Sequence, residues 1–208
     1  MLYIMKKKID LENSKVLYSA KTTKEAFEND WDIKSGKWSY DHGWFAGINP
    51  ENSPGMIISK ADYFGNIMVD FTGKTVLPST HDINLMWNGS WDYAGNMRGV
   101  AYVAGVEGWW EKKVGIEKSP DYKLNVSTPL FHFEPGKEYH IQAGSIEGHI
   151  FIFIDGRLIL EATDPDPIDS QKYGKVGFEA YCSSIKIKDI VIRELAWNTR
   201  ELSYTREF

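Results

Sequence analysis

The chain has 208 residues, 42% of them hydrophobic and 25% charged, so its length and composition suit one soluble globular domain or at most two small ones. Its formal net charge of −5 leaves no basic stripe to neutralise phosphates, and we therefore expect no nucleic acid partner. Aromatic residues make up 14% of the chain and include 8 Trp, an excess that needs an explanation.

The N-terminal segment predicts no targeting sequence and one short helix. In MLYIMKKKIDLENSKVLYSA the lysines follow the short apolar run, and no cleavage site with small residues comes after it. No stretch of the chain approaches about 18 consecutive apolar residues, so we expect no membrane partner and a cytoplasmic location. The segment TTKEAFEND predicts a short helix capped by Thr22 or Thr23, with Glu25 in its first turn.

Most of the remaining chain has the pattern of β-strands. No repeat and no linker rich in Pro, Gly or Ser is present, and we predict one domain over residues 14–195 with a polar tail over residues 196–208. The strand-like segments are KVLYSA, GMIISK, NIMVDF, DINLMWN, GVAYVAGV, KVGFEAY and SIKIKDIVIREL. Their spacing, with turn residues between them, is typical of a sandwich or barrel.

The segment DINLMWN concentrates side chains that can bind sugar hydroxyls. Alternation places one set of its residues, Ile83, Leu85 and Trp87, on one face, and the other set, Asp82, Asn84, Met86 and Asn88, on the opposite face. Carboxylates and amides can accept from or donate to adjacent hydroxyls, and Trp91 and Asp92 follow on a loop. The alternative is that Asp82 and Asn84 cap turns or bind a structural cation.

The segment VEGWWEKKVGIEKSPDY contains two consecutive indoles, Trp109 and Trp110. The apolar face of a pyranose stacks on an indole, so an exposed Trp in a cleft is a suitable sugar platform. The alternative is that both rings cover the core. Glu117 is a candidate acid, base or charge partner for a bound uronic acid, but taken singly its sequence context favours a solvated surface position.

Residues 138–163 predict a meander of three strands joined by tight turns. Glu-Gly and Asp-Gly separate three β-rich runs, and two-residue loops place Ile146 opposite His149 and Ile154 opposite Arg157. One face then holds Ile141, Ala143, Ile150, Ile152, Ile154 and Ile159, and the other holds His140, Gln142, His149, Phe151, Phe153, Leu158 and Leu160. Because HIFIFI is apolar on both faces, we expect a sheet covered on both sides and hence a layered β-sandwich.

The segment KVGFEAYCSS places a carboxylate in an apolar strand. Alternation puts Glu179 and Tyr181 on the face opposite Phe178. Burying a carboxylate is costly, so Glu179 is either an acid or base on a concave face or is neutralised by Arg98, Lys186 or Arg157. Tyr181 beside it would donate from its hydroxyl.

Cysteine and histidine give no metal or nucleophile motif. Cys182 is the only cysteine, which excludes an intrachain disulfide and a Cys-based zinc site, and its setting predicts a buried thiol. The 5 His show no metal-binding spacing, and we expect no catalytic transition metal. Phosphate-binding loops and nucleophile elbows are also absent from the sequence.

The order of four segments resembles a known superfamily. WSYDHGWFAG, PGMIISKADYFGNIMVDF, YHIQAGSIEGHIFIFIDGRLILEATD and YGKVGFEAYCSSIKIKDIVIREL follow the landmarks of concanavalin A-like lectin/glucanase sandwiches. THDINLMWNGSWD is similar to the corresponding part of the YesU-like bacterial proteins. The chain resembles the 3-keto-disaccharide hydrolase (glycosidase-like) domains more distantly. The resemblance spans residues 31–195.

The resemblance implies an all-β fold, a two-sheet antiparallel jelly-roll with few short helices, whose concave face holds a carbohydrate. It implies a role in the use of plant polysaccharides, and it is compatible with a structural calcium ion whose ligands cannot be named. No other cofactor is implied. The Glu-x-Asp-x-x-Glu strand of the retaining glucanases is absent, so their double-displacement mechanism cannot be carried over.

Three functions follow as hypotheses. The first is a carbohydrate-active protein that binds a neutral or acidic oligosaccharide from plant cell wall, a hydrolase or lyase with Glu179 and Asp82 as its acid and base candidates. The second is a lectin-like module without chemistry, and the third is an assembly subunit or homodimer that uses Trp-rich loops as its interface. The candidate sugar contacts are Asn84, Trp87, Asn88, Trp91, Asp92, Arg98, Trp109, Trp110, Glu117, His140, Gln142 and Tyr181.

Overall fold

The computed structural model describes residues 1–108 and 112–201. Two candidate sugar contacts, Trp109 and Trp110, and the last part of the predicted tail lie outside the described residues. The regular structure of the described chain consists of strands and one short helix, as predicted. Its strands are β1 (Leu2–Ile4), β2 (Lys7–Ser19), β3 (Trp31–Ile33), β4 (Lys37–Asp41), β5 (Trp44–Ser59), β6 (Ile67–Thr75), β7 (Ile83–Gly89), β8 (Trp91–Asp92), β9 (Met97–Arg98), β10 (Ala101–Val106), β11 (Val114–Ser119), β12 (Asn125–Thr128), β13 (Tyr139–Ile146), β14 (His149–Ile154), β15 (Arg157–Thr163) and β16 (Lys175–Thr199).

One short helix, α1 (Lys24–Asp30), lies between β2 and β3. Thr23 caps it by accepting a hydrogen bond from the Ala26 amide at 3.1 Å, which confirms the second of the two predicted caps. Phe27 packs its ring against Phe45 with 5.1 Å between ring centroids, so the helix adds to the core. Within the described residues, no helix has the length and apolar character needed to cross a bilayer.

The long strand β16 belongs to both layers of the structure. Hydrogen bonds connect 14 strands, along the order β12-β11-β10-β7-β16-β6-β13-β14-β15, with the other strands pairing at its sides. The first part of β16 pairs with β7 and β5, and its last part pairs with β6 and β2. Register shifts in β16, one of them between Tyr181 and Ser183, allow a single strand to bend from one sheet into the other.

Contacts between strands that do not pair show that two layers face each other. Phe71 of β6 and Phe178 of β16 are 4.9 Å apart between ring centroids. The indole of Trp87 on β7 donates to the Ser145 hydroxyl on β13 at 3.1 Å, in a buried position. The main hydrophobic cluster takes residues from both sheets, so the predicted two-sheet antiparallel sandwich is confirmed.

The predicted meander is confirmed in its register. Ile146 pairs with His149, and Ile154 pairs with Arg157. A register shift after Ile152 places Leu160 against the main cluster, so Leu160 does not share the outer face as predicted. The bulge inserts one residue into β15 and thereby reverses the direction of the side chains that follow it.

The outer face of the meander is covered by the two ends of the chain. Phe151 and Phe153 pack there against Ile4, Ile9 and Leu195. Strand pairing extends beyond the predicted domain boundaries, since Thr199 of β16 still pairs with Lys7 of β2. The apolar character of both faces of β14 therefore has a structural reason, because a core lies on each side.

Candidate functional site

One cavity of about 340 Å³ opens on the face of the β7 and β16 sheet that points away from the core. It brings together six of the predicted site residues, Asp82, Asn84, Arg98, Glu117, Glu179 and Tyr181. Its other lining residues are Asn52, Ser53, Pro54, Met97, Val103 and Tyr122. Because three carboxyl groups line it, we call it the acidic cavity.

Strand alternation aims the polar side chains of β7 and β16 at the acidic cavity. Phe178 lies in the core, so the neighbouring Glu179 points to the other face. Leu85 likewise lies in the core and leaves Asn84 on the cavity side. Glu179 and Asn84 are direct partners in the β16–β7 ladder, which places the carboxyl and the amide side by side.

A small hairpin, β8–β9, carries Arg98 over this face of the sheet. Its ladder has two residue pairs, Trp91 with Arg98 and Asp92 with Met97, and the Ser90 amide donates to the Val100 carbonyl at 2.8 Å at its base. Trp91 is buried in a separate hydrophobic cluster whose other members are Met56, Ile58, Met86, Ala101 and Val103. The indole therefore anchors the hairpin on the sheet, and the hairpin in turn positions Arg98.

Arg98 joins two buried carboxylates. Its Nη1 donates to Glu179 Oε2, its Nη2 donates to Glu117 Oε1 at 3.1 Å, and its Nε donates to the Ser119 hydroxyl at 3.3 Å. The side chain of Arg98 is only 9% exposed. Burial acts to lower the pKa of Arg98, but Glu179 and Glu117 outweigh burial and raise it, so the guanidinium stays charged.

Asp82 is buried beside this ion pair. The Asn84 amide donates to Asp82 Oδ1 at 2.7 Å. Burial, followed by repulsion from Glu179, raises the pKa of Asp82 to about 7. Asp82 therefore holds its proton close to neutral pH, as a general acid must.

Burial also disfavours the charged forms of Glu117 and Glu179. Burial raises the pKa of Glu117 to about 7, and Arg98 acts in the opposite direction. Burial likewise raises the pKa of Glu179 against the effect of Arg98. Glu117 Oε2 is buried and has no hydrogen-bond partner in the described part of the chain. Three carboxyls and one guanidinium thus give the cavity an excess of acidic groups, and one of the carboxyl oxygens is buried without a partner among the described residues.

The rim of the cavity was only partly predicted from the sequence. The Tyr181 hydroxyl donates to Asn52 Oδ1 at 2.8 Å. Asn52, Met97 and Tyr122 also line the cavity, and the sequence analysis missed them. Asn52 lies within β5, Met97 begins β9, and Tyr122 lies between β11 and β12; the turn-forming residues near Asn52 and Tyr122 in the sequence were the available signal.

Two predicted contacts, Trp87 and Asn88, lie in the packed interior. Trp87 is completely buried against Tyr102, with 5.6 Å between ring centroids. Asn88 is also completely buried, donates to the Gly65 carbonyl at 3.2 Å and accepts from the Ser145 hydroxyl at 2.9 Å. Its positive φ of 42° ends the strand alternation. This burial argues against the sugar-contact role predicted for both residues.

The hairpin residues Trp91 and Asp92 lie near the cavity but do not line it. Trp91 is buried in its cluster, which corrects its predicted role from sugar platform to anchor. Asp92 is exposed and accepts from the Ala94 amide at 3.0 Å, as turn residues do.

His140 and Gln142 lie on the other sheet. His140 Nε2 is 2.7 Å from Asp70 Oδ1, and Gln142 donates to Asp70 Oδ2 at 2.8 Å. The strand pairing of β13 with β6 places all three away from the acidic cavity, so the predicted sugar contacts do not form one site.

Cys182 is exposed, which contradicts the predicted buried thiol. Its φ of 49° lies at the register shift of β16, which turns the side chain outward. In the described chain, no group of three His, Cys, Asp or Glu residues has an arrangement that could hold a metal ion. A structural calcium ion therefore remains a prediction without named ligands.

No protein-family model matches the chain, and no curated protein matches it significantly. Several solved structures, however, are similar to the chain in fold. A protein of unknown function with a galectin-like fold from Bacillus subtilis has a TM-score of 0.67 at 14% identity, covering 94% of this chain and 100% of the other. The carbohydrate-binding module CBM66 from Bacillus subtilis has a TM-score of 0.62 at 16% identity, covering 79% of this chain and 97% of the module.

A β-glucanase from Bacillus licheniformis has a TM-score of 0.58 at 12% identity, covering 84% of this chain and 97% of the glucanase. The fold is a galectin-like jelly-roll. This confirms the resemblance at the level of the concanavalin A-like sandwich. At such low identities the likeness concerns the fold, and the similarity to YesU-like proteins and to keto-disaccharide hydrolases stays a prediction.

Proposed function

We propose that the protein binds an oligosaccharide in the acidic cavity. The arrangement that carries this proposal is the Arg98 bridge between Glu117 and Glu179, with Asp82 and Asn84 beside it. Sugar hydroxyls donate and accept hydrogen bonds at short spacing, and this group of side chains offers both acceptors and donors. The fold is consistent with the proposal, since a carbohydrate-binding module and a glucanase share it.

The charge of the cavity favours a neutral sugar. Three carboxyls and one guanidinium line it, so a uronate would add a like charge to a buried acidic group. Hydroxyl groups can instead donate to the carboxyl oxygens that line the cavity. We therefore propose a neutral unit, such as a rhamnose-containing fragment of a plant polysaccharide, in this cavity.

We further propose glycoside hydrolysis, because Asp82 and Glu179 line the same cavity and the pKa of Asp82 is raised to about 7. Asp82 would protonate the departing glycosidic oxygen, and Glu179 would act as the base that activates water. β-Elimination acts on the carbon next to a uronate carboxyl, and the charge of the cavity disfavours that substrate. A cytoplasmic location remains part of the proposal.

The test is a thermal-shift and calorimetric screen of matched neutral and uronic oligosaccharides. We expect neutral ones to raise the unfolding temperature by mass action and uronic ones to leave it unchanged. Asn84→Ala should weaken this binding. Glu161→Gln, an acid-to-amide change on the other sheet, is the control and should bind like the wild type. Absence of any sugar binding by the wild-type chain would refute the proposal.

Glu179→Gln separates an enzyme from a lectin. If the protein is a hydrolase, the variant should bind the sugar and lose turnover. If it is a lectin-like module, both forms should bind and neither should release product. The interface hypothesis has less support, since Trp87 and Trp91 are buried, and it now depends on Trp109 and Trp110 outside the described residues.

A further inference from the structure

A second cavity, of about 520 Å³, adjoins the acidic cavity. Asp82 and Tyr181 line both cavities. The other described residues around the second cavity are Thr80, His81, Glu107, Gly108, Lys112, Phe133, Pro135 and Cys182. The two cavities therefore meet at the Asp82 carboxyl and the Tyr181 phenol, which form their shared boundary.

The register shift in β16 places the side chains at this boundary. Neighbouring residues of a regular strand point to opposite faces, yet Tyr181 and Cys182 both line the second cavity. The shift between Tyr181 and Ser183 and the φ of 49° at Cys182 turn the cysteine to that side. The hydrogen bond to Asn52 holds the Tyr181 ring in place at the junction.

The second cavity also has the composition of a ligand site. Phe133 and Pro135 provide apolar surface, against which the C–H face of a sugar ring can pack. Glu107 is buried, and its Oε1 lies 2.7 Å from His132 Nδ1, so a fixed acceptor is available. An apolar surface with a few fixed polar groups is typical of small-ligand sites.

We propose that the bound oligosaccharide extends from the acidic cavity into the second cavity, so that the glycosidic bond between two units lies against Asp82 and Tyr181. This inference rests on the proposed sugar site. The ligand then has at least two units, and the buried Asp82 faces the bond between them. That is the position a general acid needs in order to protonate a glycosidic oxygen.

Cys182 provides a probe for the second cavity, and its thiol donates to the Glu51 carbonyl at 3.3 Å. It is the only cysteine of the chain, it is exposed, and it lines the second cavity but not the acidic one. The experiment measures its rate of alkylation by N-ethylmaleimide with a neutral monosaccharide or with an oligosaccharide of the same sugar. At about nine times Kd the oligosaccharide leaves about a tenth of the protein free, so alkylation should slow about tenfold. The monosaccharide should leave the rate unchanged.

The alkylated protein gives the reciprocal measurement. It should lose at least about tenfold in affinity for the oligosaccharide, because the adduct takes the place of one unit, and keep its affinity for the monosaccharide. Cys182→Ser, treated with the same reagent, is the control and should bind both sugars like the untreated wild type.

The outcomes separate the two proposals. If neither sugar binds the untreated protein, the proposed function fails. If both sugars bind and alkylation changes neither affinity, or if the monosaccharide slows alkylation as much as the oligosaccharide does, the sugar site stands and the extension across Asp82 is overturned.

Discussion

Among the described residues that line the acidic cavity, Arg98 is the only basic one. It holds Glu117 and Glu179, and both carboxylates would be buried without a cation if it were removed. Breaking a buried pair from one side costs about 3–5 kcal/mol, since the remaining charges keep their desolvation penalty. The stability of this face of the sheet therefore depends on one side chain.

Arg98→Met should lower the free energy of unfolding by about 3–5 kcal/mol at pH 7. Urea denaturation measures this change. The matched control is Arg193→Met on the other sheet, where the 3.5 Å contact with Asp70 is part of a less buried pair. We expect the control to cost about 1 kcal/mol or less. Equal losses in the two variants would contradict the bridging role of Arg98.

Asp82 should make the folded state less stable as pH rises. The pKa of Asp82 increases from 3.8 to about 7 on folding, so between these values the folded state binds more protons than the unfolded state. The free energy of unfolding then falls as pH rises from about 4 to about 7. Asp82→Asn keeps an oxygen for the Asn84 amide and removes the contribution of Asp82 to this dependence, while Glu117, whose pKa is also raised to about 7, still contributes with the same sign.

We expect Asp82→Asn to be more stable than the wild type at pH 8, by up to about 4 kcal/mol, because the pKa of Asp82 rises from 3.8 to about 7 and each pKa unit corresponds to about 1.4 kcal/mol. Near pH 4 the two proteins should be equally stable. Denaturation curves from pH 4 to pH 8 measure the difference. Asp92→Asn, the same change at an exposed position of the hairpin, is the control. The same gain in both variants would rule out the raised pKa as its cause.

For single residues, the sequence predicts the face to which a side chain points better than it predicts the groups that surround that side chain. Alternation correctly turned Asn84 and Glu179 away from the core, and Arg98 was among the partners considered for Glu179. The same rule failed for Asn88, because its positive φ interrupts the alternation within β7. Backbone conformation of this kind depends on tertiary contacts, such as the hydrogen bond from Asn88 to Gly65.

Among the paired strands of the described chain, β8 and β9 have the shortest ladder. The β8–β9 hairpin has two pairs of residues, so its position depends on the burial of Trp91. Trp91→Ala should cost about 3–5 kcal/mol and weaken sugar binding, since Arg98 loses its support. Tyr93→Ala, at the 75% exposed tip of the same hairpin, is the control and should change neither property. Calorimetry and urea denaturation measure the two effects.

Replacing the turn glycine by alanine should destabilise the two turns of the meander to different extents. Gly156 has a φ of 75° and nothing near its absent Cβ, so Gly156→Ala should cost about 1–2 kcal/mol from the backbone alone. Gly148 has a φ of 78°, and a Cβ there would lie 2.8 Å from Pro167 Cβ. Gly148→Ala should therefore be the more destabilising of the two. A smaller loss for Gly148→Ala in thermal unfolding would contradict this account.

The hairpins could be predicted because their signals are local. Asp-Gly and Glu-Gly fix both the turn and the register within a few residues. The bulge that moves Leu160 to the other face carries no such signal, since it adjusts β15 to its neighbours after the strands have paired.

At the scale of the whole molecule, the sequence predicted the sandwich but not its connections. Strand patterns were visible in each segment, whereas the pairing of β16 with β5, β6 and β7 joins distant parts of the chain. Periodicity carries no information about which strand becomes the partner. The sequence pattern also did not show that β1 and β2 cover the meander. The predicted domain began at residue 14 and therefore left out β1 and the first half of β2.

Removal of residues 1–13 tests this outer cover. The deletion takes away Ile4 and Ile9 and exposes Phe151 and Phe153. Each buried large apolar side chain contributes roughly 1.5–3 kcal/mol, so we expect a large fall in the unfolding temperature and increased binding of a hydrophobic dye. An unfolding temperature equal to that of the full chain would contradict a structural role for β1 and β2.

The sharing of β16 between the two sheets has a consequence for cooperativity. Glu179 at the acidic cavity and Leu195 beneath the outer cover lie on one continuous strand. Neither sheet can open fully while the other keeps this strand in place, so the core amides of both should exchange with solvent only through global opening. Ligand occupancy at one end of β16 then protects the opposite end of the molecule from hydrogen exchange.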